Sequence, residues 1–312
     1  WGAAATVGVG AQMRVWSAEN FGQDLIFAYR AGDVYYWAAD TSSYTRAITL
    51  EAYANSQVKL TVASGVTFTG VTSTITVPQS ALPYLSPGSV ISGTHITAGT
   101  YITTAWDYST SVPISAVTVT GGSSGSYTFS YAGRFVPNQT LAVLTTDALR
   151  FVLLLGANTY DPTSFTGTYN PMLLRWSDQD QPSEWVPSSS NQSGEYLLTG
   201  GSTIITGKHT RQEVLIWTDA AIYSMQYLGP PLVWGVTLMA DNLSVASPNA
   251  VIIVNSVAYW MGIDKFYVYT GRVDTLDCTL RNFVFSDINA SQLFQVVAGT
   301  NEAWNEVWWF YP

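Results

Sequence analysis

The chain has 312 residues, of which 47% are hydrophobic and only 11% are charged, well below the usual quarter. This composition is ample for a folded core and excludes a disordered chain. The balance of 21 acidic against 12 basic residues disfavours a protein that grips nucleic-acid phosphates, which needs clustered Lys and Arg.

Cysteine usage and hydropathy exclude further classes of protein. Cys278 is the only cysteine, so the sequence has neither a disulfide framework nor a thiolate metal cluster. No apolar run reaches the roughly 18 residues that a membrane helix needs, so we expect no membrane span. No signal-peptide pattern follows Trp1, and residues 308–312 stop inside a strand-like run. We therefore expect an internal fragment of a longer protein.

The first predicted element is a hairpin whose pattern returns along the chain. Residues 25–29 are apolar, 31–33 form a short polar turn, and 34–37 are rich in aromatic side chains. Further apolar strands start near Leu173, Val214, Val251 and Val307. The intervals between these starts are close to the length of a propeller blade, which is roughly 40 to 50 residues. Because one hairpin cannot bury its face alone, the copies must stack. The pattern predicts an all-β, β-propeller-like repeat of antiparallel hairpins, with no convincing helix.

Residues 55–132 differ in composition from the rest of the chain. Their only charged residues are Lys59 and Asp107, and Thr, Ser, Gly and Val dominate. Short alternating strands are predicted at 74–77 and 117–120. We interpret this segment as a small β-barrel or sandwich.

The segment divides the predicted propeller into two parts, residues 1–54 and 133–312. Propeller-like sequence returns after Phe135. Surface loops tolerate such insertions because the entropy of loop closure grows slowly with length. We therefore predict an inserted domain with few contacts to the propeller.

The densest polar cluster lies at residues 175–185, and its notable members are Trp176, Asp178, Asp180, Glu184 and Trp185. Two specific interpretations are a calcium loop and a pair of catalytic carboxylates. A calcium loop needs a glycine at its tight bend, and the cluster has none. The aspartate-box turn of sialidase-type propellers also has a glycine that is missing here. We predict a structural turn between blades, in which Asp and Ser side chains bond the backbone and the two tryptophans pack nearby.

The remaining candidates for chemistry are few. His95 and His209 are the only histidines, and no nucleophile-elbow sequence accompanies either of them. Lys208, His209 and Arg211 form the nearest approach to a basic patch, which is typical of a solvated loop or a salt bridge between subunits. The sequence thus predicts no catalytic residue, no cofactor and no metal site, and a protein that is not an enzyme.

The abundant aromatic residues favour packing over sugar stacking. The chain has 12 tryptophans and 19 tyrosines, residue types that are enriched in cores and subunit interfaces. We predict core or interface positions for the strand aromatics Trp217, Tyr223, Trp260, Trp308 and Trp309.

Several stretches together resemble one family of proteins. They lie, in chain order, at residues 16–25, 175–185, 217–226, 247–250, 259–262, 265–269 and 306–312. This set resembles the structural proteins of tailed bacteriophages that form the tail nozzle or tail hub, a propeller-containing ring below the portal and adaptor. The resemblance covers most of the chain outside the insertion. It implies a virion protein in a homo-oligomeric ring, a hexamer, with no catalytic residues.

The resemblance implies a mechanical function with two kinds of partner. The ring would form and gate the channel for DNA ejection, between the adaptor or portal side and the tail fibres, with DNA passing through the lumen without tight binding. The alternative function is a glycan-binding or glycan-cleaving propeller, for receptor recognition or depolymerisation. In that alternative, Asp178, Asp180 and Glu184 are the acid and base candidates, and two of them must face one cleft. A third interpretation is that only the inserted domain binds a receptor, while the propeller is its scaffold.

Overall fold

The computed structural model of the chain describes residues 14–39, 46–118, 121–123, 125–146, 148–165 and 167–312. The first sheet is a four-stranded antiparallel meander in the order of the sequence. Its strands are β1 (Trp16–Phe21), β2 (Asp24–Tyr29), β3 (Val34–Trp37) and β4 (Ile48–Thr49). The β1–β2 turn contains Gly22 at a φ of 69°, a conformation that glycine adopts without strain.

A short helix and a set of small sheets follow the first sheet. Helix α1 (Leu50–Ser56) begins at Thr49, whose hydroxyl accepts a hydrogen bond from the backbone N–H of Ala52 at 3.2 Å. Five strands come next, β5 (Val58–Val62), β6 (Thr74–Thr76), β7 (Ile91–Ser92), β8 (Ser111–Pro113) and β9 (Tyr127–Ser130). They pair as β5-β9-β7 and β6-β8, and none of them joins a sheet of the flanking sequence.

These five strands, β5 to β9, are here named the inserted module and enclose a hydrophobic core of their own. Its buried side chains all lie between Val62 and Phe129, and Ile91, Ile102 and Val112 are fully buried in it. Residues 117–118 are outside any strand, which differs from the predicted strand at 117–120, and residues 119–120 lie outside the described part. The predicted domain limits at 55 and 132 stay a prediction.

Two further meanders of four strands follow. The second sheet contains β10 (Thr140–Thr145), β11 (Val152–Asn158), β12 (Tyr169–Trp176) and β13 (Gly194–Leu197). The third sheet contains β14 (Ile204–His209), β15 (Val214–Thr218), β16 (Ala221–Gly229) and β17 (Val233–Asp241). Each sheet keeps its strands in sequence order. All five residues of β15 are buried, as expected for a continuous apolar run that is covered on both faces.

The fourth sheet repeats the meander and a two-stranded sheet ends the chain. The fourth sheet contains β18 (Val251–Val254), β19 (Val257–Met261), β20 (Phe266–Tyr269) and β21 (Val273–Leu276). Asn255 and Ser256 join β18 to β19 with φ values of 50° and 66°, as a tight two-residue hairpin requires. After helix α2 (Arg281–Asp287), the strands β22 (Val297–Asn301) and β23 (Glu306–Phe310) form the final hairpin. The strand start that we expect near Val307 therefore belongs to β23, the second strand of this final sheet, and β22 is the first.

The sheets are stacked in sequence order, with their first strands as neighbours. β10 contacts β1 and β2, β14 contacts β10 and β11, β18 contacts β14, and β22 contacts β18. Gly207 allows β14 to lie close to β10 of the second sheet, because a Cβ atom at this position would be only 2.6 Å from Leu144 Cδ1. Separate hydrophobic cores fill the spaces between consecutive sheets. Within the described residues the stack forms no closed barrel or propeller.

The described helices are short. α1 and α2 have seven residues each, and within the described part of the chain no helix combines the length and the apolar character needed to cross a membrane. Neither helix shows a convincing 3.6-residue periodicity in the sequence, because two turns of helix are too short to display one.

Candidate functional site

Asp178 closes the polar turn at residues 175–185 with its side chain. The carboxylate Oδ1 accepts hydrogen bonds from the backbone N–H of Gln179 at 2.9 Å and of Gln192 at 2.8 Å. The backbone N–H of Asp178 donates to the carbonyl of Glu184 at 2.9 Å, which ties the two ends of the turn together. An Asp side chain that bonds nearby backbone groups in this way stabilises a turn.

The other two carboxylates of the turn point to different partners. Asp180 is exposed, has a φ of 57° and forms an ion pair with Arg150 at the β10–β11 turn. Glu184 is buried and forms an ion pair with Lys59 of β5, and its Oε1 accepts from the backbone N–H of Val186 at 3.2 Å. The three acid and base candidates are thus held by three separate sets of contacts.

The two tryptophans of the turn anchor it in the core. The indole N–H of Trp176 donates to the carbonyl of Gln192 at 2.7 Å, and that of Trp185 donates to the carbonyl of Pro182 at 2.8 Å. Both side chains are buried. Because their polar atoms are satisfied locally, the large rings pack at no cost in unpaired groups.

Arg175 is a buried residue that the sequence analysis did not single out. Its guanidinium donates to the carbonyls of Phe135 at 3.1 Å, Asn158 at 3.3 Å and Trp185 at 2.7 Å. Burial lowers the pKa of Arg175 to about 10, and Glu195, whose Oε2 lies 3.9 Å from Nε, opposes this shift. A lone Arg in a polar cluster gives no sequence signal that it joins three distant carbonyls, so only the fold reveals this role.

The aromatic residues predicted for cores or interfaces occupy different places. Trp217 and Trp260 are buried between the third and fourth sheets, with ring centroids 5.5 Å apart. Tyr223 is buried between the second and third sheets. Trp309 packs on Phe266 of the fourth sheet, with ring centroids 4.9 Å apart, whereas Trp308 is 48% exposed.

One end of the stack is an open face of the first sheet, here named the leading face. Cross-strand register places on it the side chains of Trp16, Ala18, Phe27, Tyr29, Tyr35 and Trp37. Trp16 is 50% exposed and Trp37 is 39% exposed. Phe27 stacks on Tyr35 with centroids 5.4 Å apart. The opposite face of the same sheet, with Ile26 and Ala28, is buried against the second sheet. The leading face is thus an aromatic surface without a covering sheet among the described residues.

The other end of the stack is an open face of the final hairpin, here named the trailing face. Val297 pairs with Phe310 and Gly299 with Trp308, so these four residues share it. Phe310 is 59% exposed and Val297 is 41% exposed. The opposite face carries Trp309 and packs on the fourth sheet. The stack therefore ends in an apolar surface at both ends.

His95 and the basic patch around His209 lie in different parts of the fold. His95 Nδ1 lies 3.0 Å from the carbonyl of Gly122 in the inserted module, and His209 lies at the end of β14. Burial lowers the pKa of Lys208, and Glu19 opposes this shift. Among the residues that the structure describes, no group of three or more His, Cys, Asp or Glu side chains is placed to hold a metal ion.

These observations define an all-β protein of stacked antiparallel sheets with an apolar surface at each end of the stack. Comparison of the sequence with protein-family models and with curated proteins finds no match.

Proposed function

We propose that this chain is a structural subunit of a homo-oligomeric ring, of the tail nozzle or tail hub kind found in tailed bacteriophages. In this proposal the four-stranded meanders are blades of a β-propeller. The sequence order of the strands in each sheet and the contact of successive first strands support this interpretation. The ring forms and gates a channel for DNA ejection, between adaptor or portal proteins and tail fibres.

The observation that carries the proposal is the pair of open apolar faces. Inside the stack, consecutive sheets meet through aromatic contacts such as Trp217 on Trp260 and Phe266 on Trp309. The leading and trailing faces carry the same kind of side chain and lie at opposite ends. The trailing face of one subunit therefore fits the leading face of the next, by the packing that already joins sheets within the chain. Such a head-to-tail contact gives a ring when its rotation closes.

The charge distribution supports passage of DNA without gripping it. Three of the 12 basic residues are held by contacts inside the subunit. Arg30 donates to the carbonyls of Ile204 and Ile205, and Arg175 and Lys59 are also held internally. Binding to DNA phosphates draws its energy from cations that are free to release counterions. A neutral to acidic lumen would keep DNA mobile.

Charged substitutions on the two faces test the proposal. Trp16→Lys and Phe310→Lys each place a charge in a contact that buries aromatic rings, so either variant is expected to sediment as single subunits where the wild-type chain forms a ring. Tyr84→Lys is the matched control, because Tyr84 is 52% exposed and is a residue of neither face. Unchanged assembly of the two face variants would overturn the proposed contact.

A further inference from the structure

A row of four cavities with shared lining residues, here named the groove, lies along one edge of the stack. The first lies between the β1–β2 turn and the β10–β11 turn, with a volume of about 240 Å³, and it meets the second, of about 550 Å³, at Arg150. The second meets the third, of about 310 Å³, at Ala148 and Leu149. The third meets the fourth, of about 450 Å³, at Gln212 and Glu213. Neighbouring cavities share these lining residues, and the third and fourth lie on opposite faces of the third sheet, with Tyr227 lining one and Gln226 the other.

The groove is built from turns at a single edge of the sheets. The β10–β11 turn, the β12–β13 connection and the β14–β15 turn supply most of its walls. Strands β15, β16 and β20, which border it, already have paired neighbours on both sides. Three edge strands, β1, β14 and β17, also border it, through Asn20, His209 and Trp234.

The third cavity has an aromatic floor. Tyr227 and Trp234 line it, with ring centroids 5.5 Å apart, and Phe151 packs behind both. Trp234 is 7% exposed, and its indole N–H is a buried donor with no hydrogen-bond partner among the described residues. A buried donor without a partner is costly, and a bound acceptor would relieve that cost. Volumes of a few hundred Å³ are typical of small-ligand sites.

Amide side chains line the groove and are held in place. The side-chain amide of Gln192 donates to Gln179 Oε1 at 2.9 Å, and Tyr227 donates its hydroxyl hydrogen to Gln192 Oε1 at 2.7 Å. Gln212 is exposed where the third and fourth cavities meet. An amide presents donors and an acceptor together, which matches the alternating donors and acceptors of adjacent sugar hydroxyls.

The charges of the groove are largely neutralised within it. Asp180 pairs with Arg150. Glu213 accepts hydrogen bonds from Tyr269 at 3.0 Å and from Gln226 at 3.2 Å, and from Ser224 as well. With Asp178 also present, three carboxylates lie along the groove against two arginines, Arg150 and Arg211. This balance disfavours a polyanion and is compatible with an uncharged ligand.

We propose that the groove binds a neutral glycan chain, with sugar rings over the floor at Trp234 and Tyr227 and hydroxyls bonded to the lining amides. A row of cavities along one edge fits the successive units of a linear polymer, the amides fit hydroxyl groups, and the small excess of carboxylates disfavours anionic sugars. The groove is an additional site that is separate from the leading and trailing faces. Its occupation requires neither a ring nor DNA.

Calorimetric titration of the purified chain with three neutral hexasaccharides, maltohexaose, cellohexaose and chitohexaose, tests the proposal. At least one is expected to bind saturably, and a hexamer of galacturonic acid is expected to bind at least about tenfold more weakly because of charge repulsion. Absence of saturable binding to all three neutral probes, or tighter binding of the galacturonic acid hexamer, would overturn the proposal.

Two variants locate the site. Gln212→Ala removes an exposed amide, and Tyr227→Phe removes one hydroxyl while the ring remains. Each is expected to weaken binding by about fivefold, the equivalent of one hydrogen bond. Gln292→Ala is the matched control, because Gln292 is exposed and lies outside the groove. If all three variants bind as the wild-type chain does, the glycan is held elsewhere and the proposal is wrong.

Glycan binding in the groove is expected to be independent of ring assembly. Trp16→Lys is expected to lose assembly and keep glycan binding, whereas Gln212→Ala is expected to assemble normally. Loss of glycan binding together with assembly in Trp16→Lys would show that the groove does not act alone, which contradicts the site as proposed.

Discussion

Lys59 and Glu184 form a buried ion pair across 125 residues of sequence. Lys59 lies in β5, the first strand of the inserted module, and Glu184 lies in the β12–β13 connection. Their side chains are 16% and 4% exposed, and the Lys59 ammonium also lies 5.4 Å from the ring centre of Tyr131. The pair thus joins the inserted module to the structural turn.

Breaking this pair is expected to cost more than replacing both partners. Lys59→Met leaves the Glu184 carboxylate buried without its cation, so the free energy of unfolding is expected to fall by about 3 to 5 kcal/mol. The double variant Lys59→Met/Glu184→Gln removes both charges and is expected to recover most of that loss. Chemical denaturation of the two variants measures the difference. Equal stability of the single and double variants would contradict a buried pair.

Asp178 and Asp180 are a matched pair of carboxylates in one turn. Asp178→Ala leaves the backbone N–H groups of Gln179 and Gln192 without an acceptor, so the free energy of unfolding is expected to fall by about 1 to 3 kcal/mol. Asp180→Ala removes only an exposed ion pair and is expected to cost at most about 1 kcal/mol. Denaturation curves of both variants check this order. A catalytic role would require glycan cleavage that Asp178→Ala abolishes without a loss of stability.

The inserted module is expected to be removable. Its flanks already meet, since the backbone N–H of Tyr131 donates to the carbonyl of Gln57 at 3.2 Å. Replacing residues 58–130 by a short Gly/Ser linker, with Glu184→Gln to avoid an orphaned charge, is expected to leave a folded, soluble remainder with a cooperative melting transition. Circular dichroism and thermal melting measure this. Aggregation of the shortened chain would show that the module belongs to the main core.

Local strands and hairpins are easier to predict from the sequence than the contacts between residues that are far apart in it. The hairpin at 25–37 and the strand starts near Val214 and Val251 are visible because turns and apolar runs leave a local pattern, and the structure has strands there. The contacts of Glu184 and Arg175 were not visible, since Lys59 and the carbonyl of Phe135 are distant in sequence. The groove was missed for the same reason, because four turns of different sheets form it.

Tyr269 is expected to make stability depend on pH in the alkaline range. Burial, together with the hydrogen bond to Glu213, raises the pKa of Tyr269 from 10.0 to about 12. The folded state therefore holds the proton more tightly than the unfolded state, and this contribution is complete below pH 10 and is lost as the pH rises to about 12. Tyr269→Phe lacks this group, so its free energy of unfolding is expected to fall less steeply over that interval. Parallel curves for the two proteins would contradict the shift.

The isolated protein is expected to have negligible affinity for duplex DNA at physiological salt. Its formal net charge is −9, and Lys59, Arg150 and Arg175 are each held by contacts within the subunit. Fluorescence anisotropy with a labelled duplex across a salt series measures the affinity. Tight binding with a steep salt dependence would require a row of basic residues on the surface. It would contradict a channel through which DNA passes without being bound.

Imaging of the purified, concentrated protein by electron microscopy tests the proposed ring most directly. The account predicts closed particles with rotational symmetry and an open lumen, in which the leading face of each subunit contacts the trailing face of its neighbour. Particles that remain single subunits at high concentration, with Trp16 and Phe310 exposed to solvent, would contradict it.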